Sequence, residues 1–210
     1  MEANEQSKLA YVEFKGFNTL REPGWTLTGA VTFYESDVWM RHCRITDNLC
    51  EDALNTVRSH IDMDELYIAN TAFDGFDADF CDGLIKSVKF NNTGNDAIDF
   101  SGSKVVVHDC LIENAGDKGI SAGEQSNLEF RNARITGCNI AIASKDRSEC
   151  LVRHVDVSDC KQGFTAYQKK PEFGPAFLNV MSYTTEDVKQ PYLIERGSVL
   201  MLESNRIEGE

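Results

Sequence analysis

With 210 residues, 41% of them hydrophobic and 26% charged, the chain has an ordinary globular composition, enough for one large domain or two small ones. A formal charge of −13 leaves no basic field to release counterions from phosphates, which argues against nucleic acid as a general partner and disfavours anionic membranes. No apolar run approaches the roughly 18 residues that span a bilayer, and the polar start Met1-Glu2-Ala3-Asn4-Glu5-Gln6-Ser7-Lys8 has no signal-peptide character, so a cytoplasmic protein or a domain of a longer extracellular one is expected.

In chain order, Lys8 to Ser36 reads as an irregular first coil with Arg21-Glu22-Pro23-Gly24 as an inserted loop. Residues 37–198 then repeat. Val31, Leu54, Phe76, Ile98, Ile120, Ile142, Phe164 and Tyr192 follow one another at intervals of 23, 22, 22, 22, 22, 22 and 28. Two residues further on run Phe33, Thr56, Ala78, Phe100, Ala122, Ser144, Ala166 and Ile194, and a third apolar column precedes both: Ile45, Ile68, Phe90, Ile112, Ile135 and Val157. Coils tend to close on serine, as at Ser59, Ser103, Ser126, Ser148 and Ser198. Residues 199–210 begin a further coil and stop, leaving a strand edge that needs a continuation or a cap.

Within a coil the apolar residues alternate, as in Val105 and Val107 or Ile120 and Ala122, which is the period of short strands with one face inward. Separated by turns such as Asn91-Asn92-Thr93-Gly94, three such strands per coil wind, each pairing in parallel with its equivalent about 4.8 Å away along the axis. The expected fold is therefore all-β: a right-handed parallel β-helix over residues 1–210, with about nine coils of roughly 22 residues.

If those columns point inward, their alternate neighbours point out. One outward column reads Thr32, Asn55, Asp77, Asp99, Ser121, Ala143, Thr165; the next reads Tyr34, Val57, Asp79, Ser101, Gly123, Lys145, Tyr167; a turn column carries Asp52, Asp74, Asp96, Lys118. Stacked like charges destabilise a sheet, so the aspartates are expected to keep a proton at raised pKa or to hold a cation, with Asp77, Asp79 and Asp99 as ligands for Ca²⁺. Lys118, Lys145, Lys169 and Lys170 turn the same face basic further on, with Glu124 and Asp146 interleaved and Tyr167 at hand. The bland alternative is a solvated acidic face laced by intercoil ion pairs, Lys145 with Asp146 and Lys118 with Asp96.

The four histidines, His42, His60, His108 and His154, have no metal-ligand spacing and read as turn residues. Seven cysteines form no CxxC pair and read as buried thiols. Cys138 and Cys160, 22 residues apart, stack within possible disulfide reach, stacked free thiols being the first expectation.

The run Gly94-Asn95-Asp96-Ala97-Ile98-Asp99-Phe100-Ser101-Gly102-Ser103, followed by Gly116-Asp117-Lys118-Gly119-Ile120-Ser121, resembles the pectin-lyase-like β-helix superfamily, and its rhythm most resembles the coils of polygalacturonase-type glycosidases. Asp96 falls where that family has its first aspartate, but the second element reads Asp117-Lys118, and the family's Gly-His-Gly and Arg-Ile-Lys elements have no counterpart. A glycosidase needs two carboxyl groups flanking one bond, so the resemblance does not imply hydrolysis. The polysaccharide lyases of the same superfamily are the better chemical fit. The resemblance then implies Asp/Glu-held Ca²⁺ neutralising a uronate carboxylate and a lysine base, Lys145 or Lys118, with Asp99 beside them and a pKa depressed by neighbours such as Lys169 and Lys170. Asp96, Ser121, Glu124, Tyr167, Lys169 and Lys170 would bind the saccharide. Residues 116–146 also look like β-helix domains appended to spore-coat-H-type kinases. Two functions follow: a carbohydrate-active protein of lyase or epimerase type on acidic polysaccharide, or a non-catalytic scaffold of a larger surface or coat assembly, with end-to-end self-association.

Overall fold

The computed structural model describes residues 5–209; residues 1–4 and 210, the ends of the span expected to wind and half of the polar start, lie outside the described residues. The alternating apolar residues form strands that pair in parallel one coil apart, as their period dictates. Eight parallel strands build one sheet in chain order: Gly29–Tyr34, Asp52–Val57, Asp74–Asp79, Ile98–Ser101, Lys118–Gly123, Ile140–Lys145, Gln162–Tyr167 and Gln190–Ile194. A fifteen-stranded sheet makes the rest of each winding. The repeat columns are the register: Val31 pairs with Leu54, Leu54 with Phe76, Phe76 with Ile98, and so on through Ile120, Ile142, Phe164 and Tyr192. Between the sheets lies one apolar core in which Phe76, Phe90, Phe100, Phe130 and Phe164 are fully buried. Stacked repeats suit this arrangement because a coil can bury its inner face only against its neighbours. Among the described residues there is no helix, and so none long and apolar enough to cross a membrane.

Corners are made by residues in the left-handed region, mostly without glycine. Glu65, Ser87 and Asp109, with φ of 52°, 50° and 53°, bend three strands of 12 residues, His60–Thr71, Asp82–Thr93 and Lys104–Ala115. In these coils the two expected strands that follow each closing corner, such as residues 105–107 and 110–112, are therefore one bent strand; they separate again from Asn127 onward. At the next corner Asn70, Asn92 and Asn114 take φ of 54°, 55° and 61°, a conformation asparagine tolerates better than most residues. Their side chains form a ladder, Asn114 donating to Asn92 at 3.1 Å, Asn92 to Asn70 at 3.3 Å and Asn70 to Asp47 at 3.0 Å. The closing serines form a second ladder inside the third corner: Ser126 Oγ accepts the Ser103 N–H at 3.0 Å and Ser148 Oγ the Ser126 N–H at 3.1 Å. Gly94 and Gly116 are required by proximity; a Cβ at Gly116 would sit 2.2 Å from the Gly94 carbonyl oxygen one coil before it.

The ends depart from the repeat. The inserted loop is an antiparallel hairpin, Leu20–Glu22 with Trp25–Leu27. The expected ninth coil does not wind: Val199–Leu202 is the last parallel strand, and Asn205–Glu208 folds back antiparallel on it, with Ile207 packed against the core. Eight windings result, and a hairpin covers the edge of Val199–Leu202, while Tyr183–Glu186 and Gln190–Ile194 end their ladders.

Candidate functional site on the outer face of the eight-stranded sheet

Period two sends Asp77 and Asp79 to the outside of one strand, with Asp74 at the turn that starts it, and the parallel register puts Asp99 against Asp77 and Asp52 against Asp74. The acidic columns are thus one surface. Part of their work is structural. Asp74 Oδ1 accepts the Asp96 N–H at 2.8 Å and the Asn95 Nδ2 at 2.6 Å, and Asp96 Oδ1 accepts the Lys118 N–H at 3.0 Å. Each of these carboxylates ties its turn to the next coil, using an N–H that would otherwise have no partner.

Crowding and burial displace the protons of this face. Burial, reinforced by the charges of Asp79, Asp52, Asp99 and Asp74, pushes Asp77 up to about 9, so at neutral pH it is a carboxylic acid. Burial likewise pushes Asp52 and Asp74 up to about 6, and it raises Asp79 and Asp96. Asn55 Nδ2 bridges Asp52 at 3.1 Å and Asp77 at 3.4 Å.

The lysines are laid into the same face. Lys145 is 5% exposed and reaches across the side-chain-free Gly123, whose Cβ would touch its Cε at 3.4 Å, to bring Nζ 3.6 Å from Asp99 Oδ1. Asp99 Oδ1 and the neighbouring Ser121 Oγ are buried without a hydrogen-bond partner. Lys118 Nζ sits 3.3 Å from Asp96 Oδ1 and bonds Asp117. Although burial opposes its charge, Asp96 and Asp117 outweigh burial and hold this ammonium above the usual lysine range.

Several sequence expectations change accordingly. Lys118 is driven away from the depressed pKa a lysine base needs. Lys169 is exposed, and Lys170 pairs with Glu124 across the rim. Lys145 pairs with Asp99 two coils away, not with Asp146; Asp146 Oδ1 instead accepts the N–H groups of Lys169 and Lys170 at 2.6 and 2.7 Å, fastening the 168–176 loop to the rim. Ser121 is fully buried between Asp99 and Ala143 of the adjacent coils and does not present a surface contact. Tyr167 is half-buried, and burial raises its phenol. Among the described residues no three His, Cys, Asp or Glu groups gather to hold a metal ion, and Asp77, Asp79 and Asp99 share one face of the sheet.

Two features escaped the sequence analysis. Exposed phenylalanines flank the acidic strand, Phe73 before Asp74 and Phe80 after Asp79, with the Arg58 guanidinium 5.4 Å over the Phe80 ring. At the far end of the face a cavity of about 450 Å³ is lined by Ile140, Gln162, Thr165, Tyr167, Leu193 and Glu195. The outward columns, continued one or two coils further, lead directly to Ile140, Gln162 and Leu193; that signal was present. Cys138 and Cys160 are free thiols, as first expected.

A family model described as a right handed beta helix region matches residues 53–180, more than half of the chain. No curated protein and no solved structure matches it.

Proposed function

The chain belongs to the right-handed β-helix family, and from that premise we propose that the outer face of its eight-stranded sheet binds an acidic polysaccharide and acts on it by lyase- or epimerase-type chemistry. Both reactions remove the proton next to a uronate carboxylate, and both need that carboxylate neutralised first. The observation that carries the proposal is the group of Lys145, Asp99 and Ser121: a buried lysine side chain, with two buried oxygens lacking hydrogen-bond partners, on the face whose carboxyls are raised by burial and crowding. Perturbed titratable groups concentrate at functional sites. Lys118, held cationic, suits neutralisation of the substrate carboxylate; protonated Asp77 suits donation of a hydrogen bond to it. Lys145 is left as the candidate base, with Asp99 beside it. Asp96 and Glu124 orient the lysines, and Tyr167, Lys169 and Lys170 flank the path a saccharide would take toward the apolar cavity. Phe73 and Phe80 offer ring faces to the C–H faces of sugars.

The test is incubation with a panel of polyuronates, with and without Ca²⁺, following ultraviolet absorbance of unsaturated uronide and deuterium uptake from heavy water at the uronate carbon. Activity is expected to fall at least tenfold in both Lys145→Ala and Asp99→Asn. If no polyuronate yields absorbance, exchange or binding, or if both variants match the parent chain, the proposal is wrong. The Ca²⁺ arm decides whether a cation assists.

A second reading, a scaffold module of a larger assembly, draws on the N-terminal hairpin, where Leu20, Trp25 and Leu27 are exposed together. Sedimentation at several concentrations tests it; a strictly monomeric species with no affinity for partners sinks it.

A further inference from the structure

Cys138 and Cys160 hold equivalent corner positions on successive coils, between the register pairs Thr136–Ser158 and Ile140–Gln162. Both are turned the same way, Cys138 Sγ toward the Thr136 carbonyl at 3.6 Å and Cys160 Sγ toward the Ser158 carbonyl at 3.2 Å. The Lys161 N–H bonds the Cys138 carbonyl at 3.2 Å, fixing the two corners at the coil spacing. That spacing, about 4.8 Å, falls within the Cα separation of about 4.4–6.8 Å that a disulfide bridges. The neighbouring Cys138 side chain, with the backbone N–H groups of residues 137 and 138, lowers the Cys160 thiol, while Cys160 and burial raise that of Cys138. Both cysteines lie at the floor of a cleft of about 510 Å³ bordered by Asn139, Lys161 and Lys189, wide enough for a small solute.

The other five cysteines lack this combination. Cys110 and Cys150 also border clefts, but each stands alone and burial pushes its thiol up to about 12. Burial raises Cys81 and Cys50, and Cys43 lies in the core.

We infer that Cys138 and Cys160 form a dithiol modification site for hydrogen peroxide, whose oxidised state staples one coil to the next. The Cys160 thiolate attacks one peroxide oxygen, the O–O bond breaks, and the departing hydroxide takes up a proton to leave as water, giving a sulfenic acid. Cys138 sulfur then attacks Cys160 sulfur; the S–O bond breaks, and hydroxide leaves with the Cys138 proton as a second water. Two thiols and one peroxide thus become one disulfide and two waters. The closed loop adds a covalent link between two windings that otherwise meet through the ladder and the stacked core.

The native protein is exposed to graded hydrogen peroxide, remaining thiols are alkylated, and tryptic peptides are read by mass spectrometry without reduction. The expected product links Ile135–Lys145 to His154–Lys161, is reversed by dithiothreitol, and accumulates before Cys43, Cys50, Cys81, Cys110 or Cys150 is modified. Cys138→Ser should leave a dimedone-reactive sulfenic acid at Cys160. If the linked peptide forms only after denaturation, or another cysteine is consumed first, the inference is overturned; this readout on the parent chain holds even where a variant folds poorly.

Discussion

Asp77 keeps its proton in the folded chain up to about pH 9, whereas an aspartate in the unfolded chain releases it near pH 3.9. Between those limits the folded state binds more protons than the unfolded state, so this residue's contribution to stability is fully present below about pH 4 and is lost as pH rises through about 9. Asp52 and Asp74 act with the same sign up to about pH 6. In thermal melts, Asp77→Asn should match the parent near pH 4 and melt several degrees higher near pH 8, because asparagine imitates the protonated form; equal differences at both ends would refute the displaced proton. Lys145 and Asp99 form the complementary case. Removing a buried partner leaves the other charge unpaired, so Lys145→Ala should lose about 3 kcal/mol in urea unfolding, and Asp99→Asn added to it should recover part. The partner of Lys145 was not legible in the sequence. Column reading pairs neighbours one coil apart, and only the absent side chain of Gly123 lets the lysine reach two coils.

At the scale of strands and corners, two ladders explain why the windings hold their register. Ser126 is 1% exposed; its Oγ accepts the Ser103 N–H and lies 2.7 Å from the Gly123 carbonyl. Ser126→Ala leaves that N–H buried without a partner, and urea unfolding should show a loss of about 1–3 kcal/mol. Loss of a few tenths would mean that water replaces the hydroxyl. The closing serines were visible as a column, but their hydrogen bonds were not, because they depend on which way each Oγ turns inside the corner. Conversely, Glu65, Ser87 and Asp109 bend single long strands where the sequence suggested separate ones. Asp109 tolerates a left-handed corner, but nothing in the residue types of Glu65 and Ser87 announces one as glycine would.

For the molecule as a whole, the core is continuous, so stability is expected to pass from coil to coil through the stacked apolar columns. The hairpin Val199–Leu202 with Asn205–Glu208 covers the last parallel strand of the larger sheet by changing pairing direction. Removing Asn205–Glu208 uncovers a parallel edge and the core contact of Ile207, and light scattering should then show concentration-dependent growth absent from the parent chain. Unchanged scattering would show that the hairpin does not protect that edge. The charge of −13 has a counterpart at this scale: an acidic saccharide would be repelled by most of the surface, so any binding depends on the local cations Lys118 and Lys145.

The winding, the inward columns and the gathering of Asp77, Asp99 and Lys145 on one wall follow from the sequence by itself, because a period of two within a strand and a period of 22 between coils leave few other ways to bury the apolar residues. Only the tertiary structure decided what the columns cannot encode: the proton left on Asp77, the fixed charge of Lys118, the reach of Lys145 and the turned-back final strand. Each depends on burial and on side-chain direction in three dimensions, which a repeat in one dimension does not carry.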